Sequence, residues 1–215
     1  MKKIPFIFVL LSLCIIFNSC LDTLYPFFTK NDVVYKSTLN GEWKYTSKKE
    51  KGSVYFEPIP KKRLEELAPG IREISDKGYL ATWKDSTGKV INNQFVFLTM
   101  IGNDLYMDHY PAEMENVKPI DQVFKDHYVK KHMCYKLSMR NGEVFEMKRL
   151  ERSFLDDLIE KKQIRIHYVE LSSPENKRII TASTGELRQY ILKYGSNPKA
   201  YNDSYSFTCT RVVNY

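Results

Sequence analysis

Histidine and cysteine are the residue types in this chain that most readily carry out chemistry, and their spacing limits which chemistry to expect. The chain has four histidines, His109, His127, His132 and His167. His127 and His132 are five residues apart in an expected strand. Alternation sends them to opposite faces, whereas ligands of one metal ion must converge. The spacing therefore predicts no metal site.

A neighbouring cysteine and histidine provide the best pattern for nucleophilic catalysis. His132 and Cys134 share one face of the expected strand, but this spacing puts their Cα atoms about 6–7 Å apart. No third residue that would orient the imidazole is identifiable. We expect a buried thiol beside an exposed imidazole, and a hydrolase remains the third functional hypothesis.

Other catalytic patterns are missing from the sequence. Asp156 and Asp157 are adjacent on an expected helix and point about 100° apart, and their place early in that helix suits its dipole. The chain contains no phosphate loop, dinucleotide fingerprint, His-Glu-x-x-His, Gly-x-Ser-x-Gly or calcium loop. We therefore expect a protein that is not an enzyme and has no cofactor.

The first residues have the pattern of an export signal. Met1-Lys2-Lys3 precede an apolar run from residue 4 to residue 17, and Asn18-Ser19-Cys20 follow. As a helix this run would be about 21 Å long, too short for a hydrocarbon core of roughly 30 Å. The pattern predicts a signal peptide over residues 1–19, cut before Cys20. The alternative is an uncleaved signal anchor.

The Ser19-Cys20 step resembles the lipobox of bacterial lipoproteins, in a relaxed form typical of Bacteroidetes, with Phe17 and Asn18 departing from the commonest residues. The resemblance implies acylation of Cys20 and a lipid anchor in the membrane of a bacterial cell envelope, with the outer membrane expected. Leu21-Asp22-Thr23 lacks an acidic surface-export run, which favours the periplasmic face. Cys134 and Cys209 then remain, and the sequence leaves open whether they form a disulfide bridge.

Charge and composition indicate a folded body that does not bind nucleic acid. The chain has 33 basic and 26 acidic side chains, a formal charge of +7, and it loses Lys2 and Lys3 with the signal. The remaining basic residues are interleaved with acids, as in Lys48-Lys49-Glu50-Lys51. Such mixing is typical of a solvated surface, and export separates the protein from nucleic acid.

Short aromatic and β-branched runs, broken by turn residues, predict most of the elements. We expect strands over residues 42–47, 53–57, 79–84, 94–100, 105–110, 128–139, 144–150, 163–171 and 207–214. Residues 85–88 and 101–104 are expected hairpin turns, and Asn141-Gly142 predicts a two-residue turn that pairs Met139 with Val144 and Leu137 with Glu146.

Three helices are expected among these strands, at residues 61–68, 153–162 and 183–194, the last beginning at the capping box Ser183-Thr184-Gly185-Glu186. Residues 20–38 are expected to be the lipidated cysteine and a tether, and residues 39–215 a single domain. The pattern predicts a mainly β fold, an antiparallel barrel or half-barrel with two or three helices packed on an end or a face.

Gly41-Glu42-Trp43 resembles the Gly-x-Trp that begins lipocalin-like barrels, in which Arg211 would pack over Trp43. A wider set of residues resembles an uncharacterised family of bacterial lipoproteins over about three quarters of the mature chain. The set comprises Tyr79, Trp83, Asp85, Phe95, Leu98, Gly102, Tyr106-Met107-Asp108, Pro111, Thr181-Ala182-Ser183-Thr184 and Leu187. That family has no assigned activity, so the resemblance implies an anchor and a fold only.

These observations predict a lipid-anchored, non-catalytic envelope protein that binds an apolar small molecule or another envelope component. If the barrel is open, Trp43, Trp83, Phe95 and Phe97 are the expected pocket, since aromatic faces suit such ligands. The alternative is a structural or accessory subunit that acts through contact with another protein.

Overall fold

A computed structural model describes residues 21–112, 129–170 and 178–213 of the chain. These residues form 12 strands: β1 Asp22–Thr23, β2 Val33–Val34, β3 Gly41–Thr46, β4 Lys51–Pro58, β5 Gly78–Asp85, β6 Val90–Ile101, β7 Asp104–Pro111, β8 His132–Arg140, β9 Val144–Leu150, β10 Tyr168–Glu170, β11 Arg178–Ile180 and β12 Tyr201–Arg211. The α-helices among them are α1 Pro69–Arg72, α2 Arg152–Glu160 and α3 Thr184–Tyr194. Short 3-10 helices cover Ser37–Leu39, Lys61–Glu66, Ser75–Lys77 and Pro198–Ala200.

Eight strands close into an antiparallel barrel, which confirms the mainly β, lipocalin-like expectation. Strands β3 to β9 pair in sequence order, β12 pairs with both β9 and β3, and the ring is complete. Each strand alternates, so one face fills the barrel and the other meets the elements outside it. The interior is largely apolar, with Trp43, Tyr45, Phe56, Trp83 and Phe145 among its side chains.

Two apolar layers cover parts of the outer face of the barrel. One contains Leu21 and Phe27 of the N-terminal segment together with buried residues of α2 and α3. The other packs Phe28 and the chain around residues 59–74 against Phe95 and Phe97. The helices therefore lie on the side of the barrel, within the range of positions that the sequence predicted.

The N-terminal segment is part of the folded domain, which differs from the expected tether over residues 20–38. Leu21, Phe27 and Phe28 are buried, and β1 pairs with both β8 and β11. The segment packs on the barrel because its large apolar side chains are buried against part of the outer face. Cys20 and the expected signal peptide lie outside the described residues.

Several local expectations need correction. Of the expected helix over residues 61–68, the structure forms a 3-10 helix over Lys61–Glu66. Pro69 then begins the short α1, because proline is well tolerated at the first helical position. Strand β12 begins six residues before the expected Phe207, and β10 is only three residues long. Helices α2 and α3 lie where expected, and the Ser183–Glu186 capping box is present.

The β8–β9 hairpin has a different register from the expected one. Met139 pairs with Phe145 and Leu137 pairs with Met147, one residue away from the predicted pairs. The loop is Asn141-Gly142-Glu143, with both Asn141 and Gly142 at positive φ. A slip of one residue would turn a whole strand inside out, so the apolar interior selects the register.

No described helix is both long enough and apolar enough to cross a membrane.

Candidate ligand-binding site at the barrel mouth

The structure does not bring the four expected pocket residues together. Trp43 and Trp83 lie inside the barrel, whereas Phe95 and Phe97 lie on the outer face of β6 in the layer that contains Phe28. Strand alternation is the cause, because residues 94, 96 and 98 take the inward positions of β6. The expected pocket is therefore not formed by these residues.

Trp43 lies near the start of β3, at one end of the barrel. Its indole Nε1 donates to the Leu39 carbonyl at 2.8 Å, and its ring packs edge-on against Phe145. The Arg211 guanidinium lies over the indole at 4.3 Å, so the predicted Trp43–Arg211 contact is confirmed. Arg211 also donates to the Asn40 carbonyl at 3.0 Å, which ties the chain before β3 to β12.

The opposite end, which we call the mouth, contains a cavity of about 260 Å³. Its lining comes from β1, β6, β7 and β8 and from the chain just before β8. The lining residues are Asp22, Asn92, Gln94, Pro111, Val129, Lys131 and Met133. The volume is slightly below the roughly 300–1,000 Å³ of sites for drug-sized ligands, so the cavity suits a small molecule or one end of a larger one.

A buried histidine lies next to this cavity. His109 is opposite the lining residue Met133 in the sheet, and its Nδ1 is 2.7 Å from Oε1 of the lining residue Gln94. Burial and the nearby Arg149 charge lower the pKa of His109 to about 3. The imidazole is therefore neutral at neutral pH. Its Nδ1 carries the hydrogen and donates a hydrogen bond to Oε1 of Gln94.

The neutral form leaves Nε2 of His109 as a buried hydrogen-bond acceptor. No described residue provides a partner for this atom, and the same is true of the indole donor Nε1 of Trp83. The two rings are 6.1 Å apart, and Trp83 is opposite the cavity residue Asn92. Since buried polar groups are normally satisfied, a donor and an acceptor left open in one region favour a ligand group that does both, such as a hydroxyl.

Charged side chains line the rim of the mouth. Asp22 accepts from Arg149 Nη2 at 3.0 Å, and its other oxygen is 3.9 Å from Lys131 Nζ. The guanidinium of Arg149 also lies 5.8 Å from the Tyr135 ring centroid inside the barrel. The rim thus joins the N-terminal segment to the polar end of the interior.

The Cys134 and His132 pair differs from the expected arrangement. His132 is buried, so the expected exposed imidazole is wrong, and its Nδ1 is 2.7 Å from Oδ1 of Asp108. Asp108 is the orienting residue that sequence reasoning missed, because it lies on β7 across the sheet. Burial, together with the Asp108 charge, raises the pKa of Cys134 well above its ordinary value. This is the opposite of an activated thiolate.

Asp108 has a clear structural task on the outer face of the barrel. Its second oxygen, Oδ2, accepts from the backbone N–H of Phe27 at 2.8 Å. The Asp108–His132 pair therefore fixes the N-terminal segment on the barrel. Cys134 and Cys209 are buried free thiols and belong to separate apolar clusters, so they do not form the bridge that the sequence left open.

The other histidines offer no convergent set. His167 is exposed and its Nδ1 contacts Glu186, and His127 lies outside the described residues. Within the three described ranges, no group of three or more His, Cys, Asp or Glu side chains is placed to hold a metal ion.

A larger depression of about 530 Å³ lies outside the barrel. One continuous segment, residues 159–168, supplies its lining, including Ile159, Ile164 and Tyr168. It lies beside β10, the last strand in the order of the described sheet. This surface has no buried unpartnered polar group among its described lining residues, unlike the mouth.

Fold and site together define a closed, eight-stranded, lipocalin-like barrel with a polar cavity at one end. Comparison with known proteins adds nothing to this class: no family model, no curated protein and no solved structure matches the chain.

Proposed function

We propose that this protein is a lipid-anchored, non-catalytic binding module of the bacterial cell envelope. The observation that carries the proposal is the mouth cavity beside two buried polar atoms, Nε2 of His109 and Nε1 of Trp83, that have no partner among the described residues. The packing of the barrel holds both rings in position in the absence of a ligand. Binding would therefore not have to order these two side chains.

The geometry favours a small ligand with an apolar body and one hydroxyl group. A hydroxyl could donate to Nε2 of His109 or accept from Nε1 of Trp83, whereas a purely apolar molecule would leave both atoms unsatisfied. The lining residues Pro111, Val129 and Met133 suit the apolar part, and Tyr135 packs nearby at 4.8 Å from the His109 ring. This refines the expectation of an apolar ligand.

The anchor remains part of the proposal through Cys20. We propose that the protein belongs to a Bacteroidetes-type lipoprotein family and is held in the outer membrane, on the periplasmic side. Two or three acyl chains on one cysteine would hold it there almost permanently, because each buried methylene contributes about 0.8 kcal/mol. Incorporation of labelled palmitate, lost in Cys20→Ser, tests the anchor, and protease treatment of intact cells tests the side.

Blocking the mouth tests the binding function. Asn92→Trp would fill the cavity from β6, and Ile91→Trp is the matched control because Ile91 is exposed and does not line the cavity. We expect a small molecule in organic extracts of the wild type and of Ile91→Trp. The amount should fall at least tenfold in Asn92→Trp, measured by mass spectrometry at equal protein.

An extract without a stoichiometric small molecule would contradict binding and favour the accessory-subunit alternative. The exposed β10 supports that alternative: Val169 is 52% exposed at the edge of the described sheet, next to the depression over residues 159–168. Such an edge can pair with another chain. Crosslinking in cells would then recover a stoichiometric protein partner, and Val169→Lys would reduce its yield.

A further inference from the structure

The chain leaves no spacer between the expected lipid anchor and the folded domain. Leu21 is fully buried, and its N–H donates to the Leu150 carbonyl at 3.3 Å. Asp22 pairs with Met133 of β8. Cys20 is the preceding residue, and consecutive Cα atoms are only about 3.8 Å apart. A lipid on Cys20 would therefore hold the surface around Leu21 directly at the bilayer.

That surface includes the rim of the barrel mouth. Asp22, one residue after Leu21, lines the cavity together with Lys131 and Met133. A domain anchored at this point cannot move far from the membrane, because no linker residues lie between Cys20 and the folded domain. The position of the anchor thus constrains which end of the barrel lies near lipid.

Lysines are frequent at the same end. Lys130 and Lys131 precede β8, with Lys130 lying 5.5 Å from the Tyr110 ring centroid. The β3–β4 and β5–β6 turns also lie at this end, and they add Lys48, Lys49, Lys51 and Lys89, all exposed. Among the described residues the acids at this end are Asp22, Glu50, Asp85, Glu151 and Asp203, with Lys48 at 3.8 Å from Asp203. The balance of these described charges is positive, which suits anionic lipid headgroups.

We propose that the barrel mouth lies against the bilayer surface, with its basic rim among anionic phospholipid headgroups, so that the cavity opens toward the membrane. This inference rests on the proposed lipidation of Cys20. Its consequence is a route for the ligand: a molecule leaving the headgroup layer enters the barrel without crossing bulk water.

Site-specific fluorescence quenching tests this orientation in the full, lipidated chain. Val129→Cys places a thiol at the mouth, and Asn103→Cys places one in the β6–β7 turn at the opposite end of the barrel. Both native thiols, Cys134 and Cys209, are buried, so a thiol-reactive dye should label the introduced position. The protein is reconstituted into vesicles of phosphatidylethanolamine and phosphatidylglycerol containing a lipid with a nitroxide on its headgroup.

We expect several-fold stronger quenching of the dye at position 129 than at position 103. Equal quenching, or stronger quenching at position 103, overturns the inference. A Gly/Ser spacer of about 20 residues between Cys20 and Leu21, spanning roughly 25 Å, should reduce the difference while leaving flotation with the vesicles intact. An undiminished difference would overturn the role assigned to the missing spacer.

Flotation separates the two proposals. Protein that floats with the vesicles but shows no difference between the two positions overturns the orientation alone. Protein that does not float, and behaves like Cys20→Ser, overturns the anchor and the orientation together. Near-ultraviolet circular dichroism of both labelled variants checks that each retains the native fold.

Discussion

The protonation of His109 links one side chain to the acid stability of the whole protein. Burial lowers its folded pKa to about 3, whereas the unfolded chain has the ordinary value of about 6.5. Between these values the unfolded state binds more protons, so stability falls as the pH decreases. We expect this residue alone to reduce the free energy of unfolding by about 2–3 kcal/mol between pH 7 and pH 4.5.

His109→Phe should remove this part of the pH dependence. The measurement is urea unfolding of the wild type and the variant at both pH values, with the difference between them isolating His109 from the carboxylates that also titrate. His167→Phe is the control, because the His167 side chain is 80% exposed. An equal loss of stability on acidification in His109→Phe would contradict the assignment.

Individual residues differ in how far the sequence could predict them. The contact between Trp43 and Arg211 followed from the resemblance of Gly41-Glu42-Trp43 to the start of lipocalin-like barrels. The inward position of His109 and the burial of His132 did not follow, because each depends on which strands and segments pack around it. Phe95 and Phe97 show the same limit, since alternation gives two faces but does not say which one is inside.

At the scale of elements, the Asp108–His132 pair fixes the N-terminal segment on β7 and β8. Asp108→Ala removes the acceptor for the Phe27 N–H and leaves a buried imidazole without its partner. We expect a loss of about 3 kcal/mol in unfolding free energy, typical of breaking a buried polar pair. Trypsin should also cut faster at Lys30, which lies in the released segment.

Asp104→Ala is the matched control on β7, because Asp104 is half-exposed and contacts Lys136 at the surface. It should change unfolding free energy by less than about 1 kcal/mol and leave cleavage at Lys30 unchanged. Unfolding in urea and timed proteolysis followed by mass spectrometry give both readings. Equal rates of tryptic cleavage at Lys30 in the two variants would mean that apolar contacts alone hold the N-terminal segment on the barrel.

The β8–β9 hairpin shows why element positions are easier to predict than registers. Asn141-Gly142 correctly indicated the place of the turn, but the choice between a two-residue and a three-residue loop is decided elsewhere. Leu137 opposite Met147 fills the barrel, whereas Leu137 opposite Glu146 would set an interior side chain against an acid. The packing of the eight strands fixes the register, so a local motif such as Asn141-Gly142 cannot predict it.

The whole barrel was predictable because its strands follow one another. Strands β3 to β9 are joined in order by short turns, so hairpin signals along the chain indicate a meander. Closure through β12 and the two covering layers depend on contacts between distant parts of the chain. The N-terminal segment illustrates this: residues 21–38 lack a regular period, yet they bury against strands more than 50 residues away.

The magnitude of that burial leads to a prediction for the molecule as a whole. A chain beginning at residue 36 would lose Leu21, Phe27, Phe28 and Val33 from the core. At about 1.5–3 kcal/mol for each buried side chain, the loss is roughly 6–12 kcal/mol, close to the whole stability of an ordinary domain, about 5–15 kcal/mol. We therefore expect this chain to lose its near-ultraviolet circular dichroism and its cooperative unfolding, whereas a chain beginning at residue 21 retains both. An unchanged unfolding midpoint in the shorter chain would restore residues 21–35 to the role of a tether, and the mouth would then be free to leave the membrane surface.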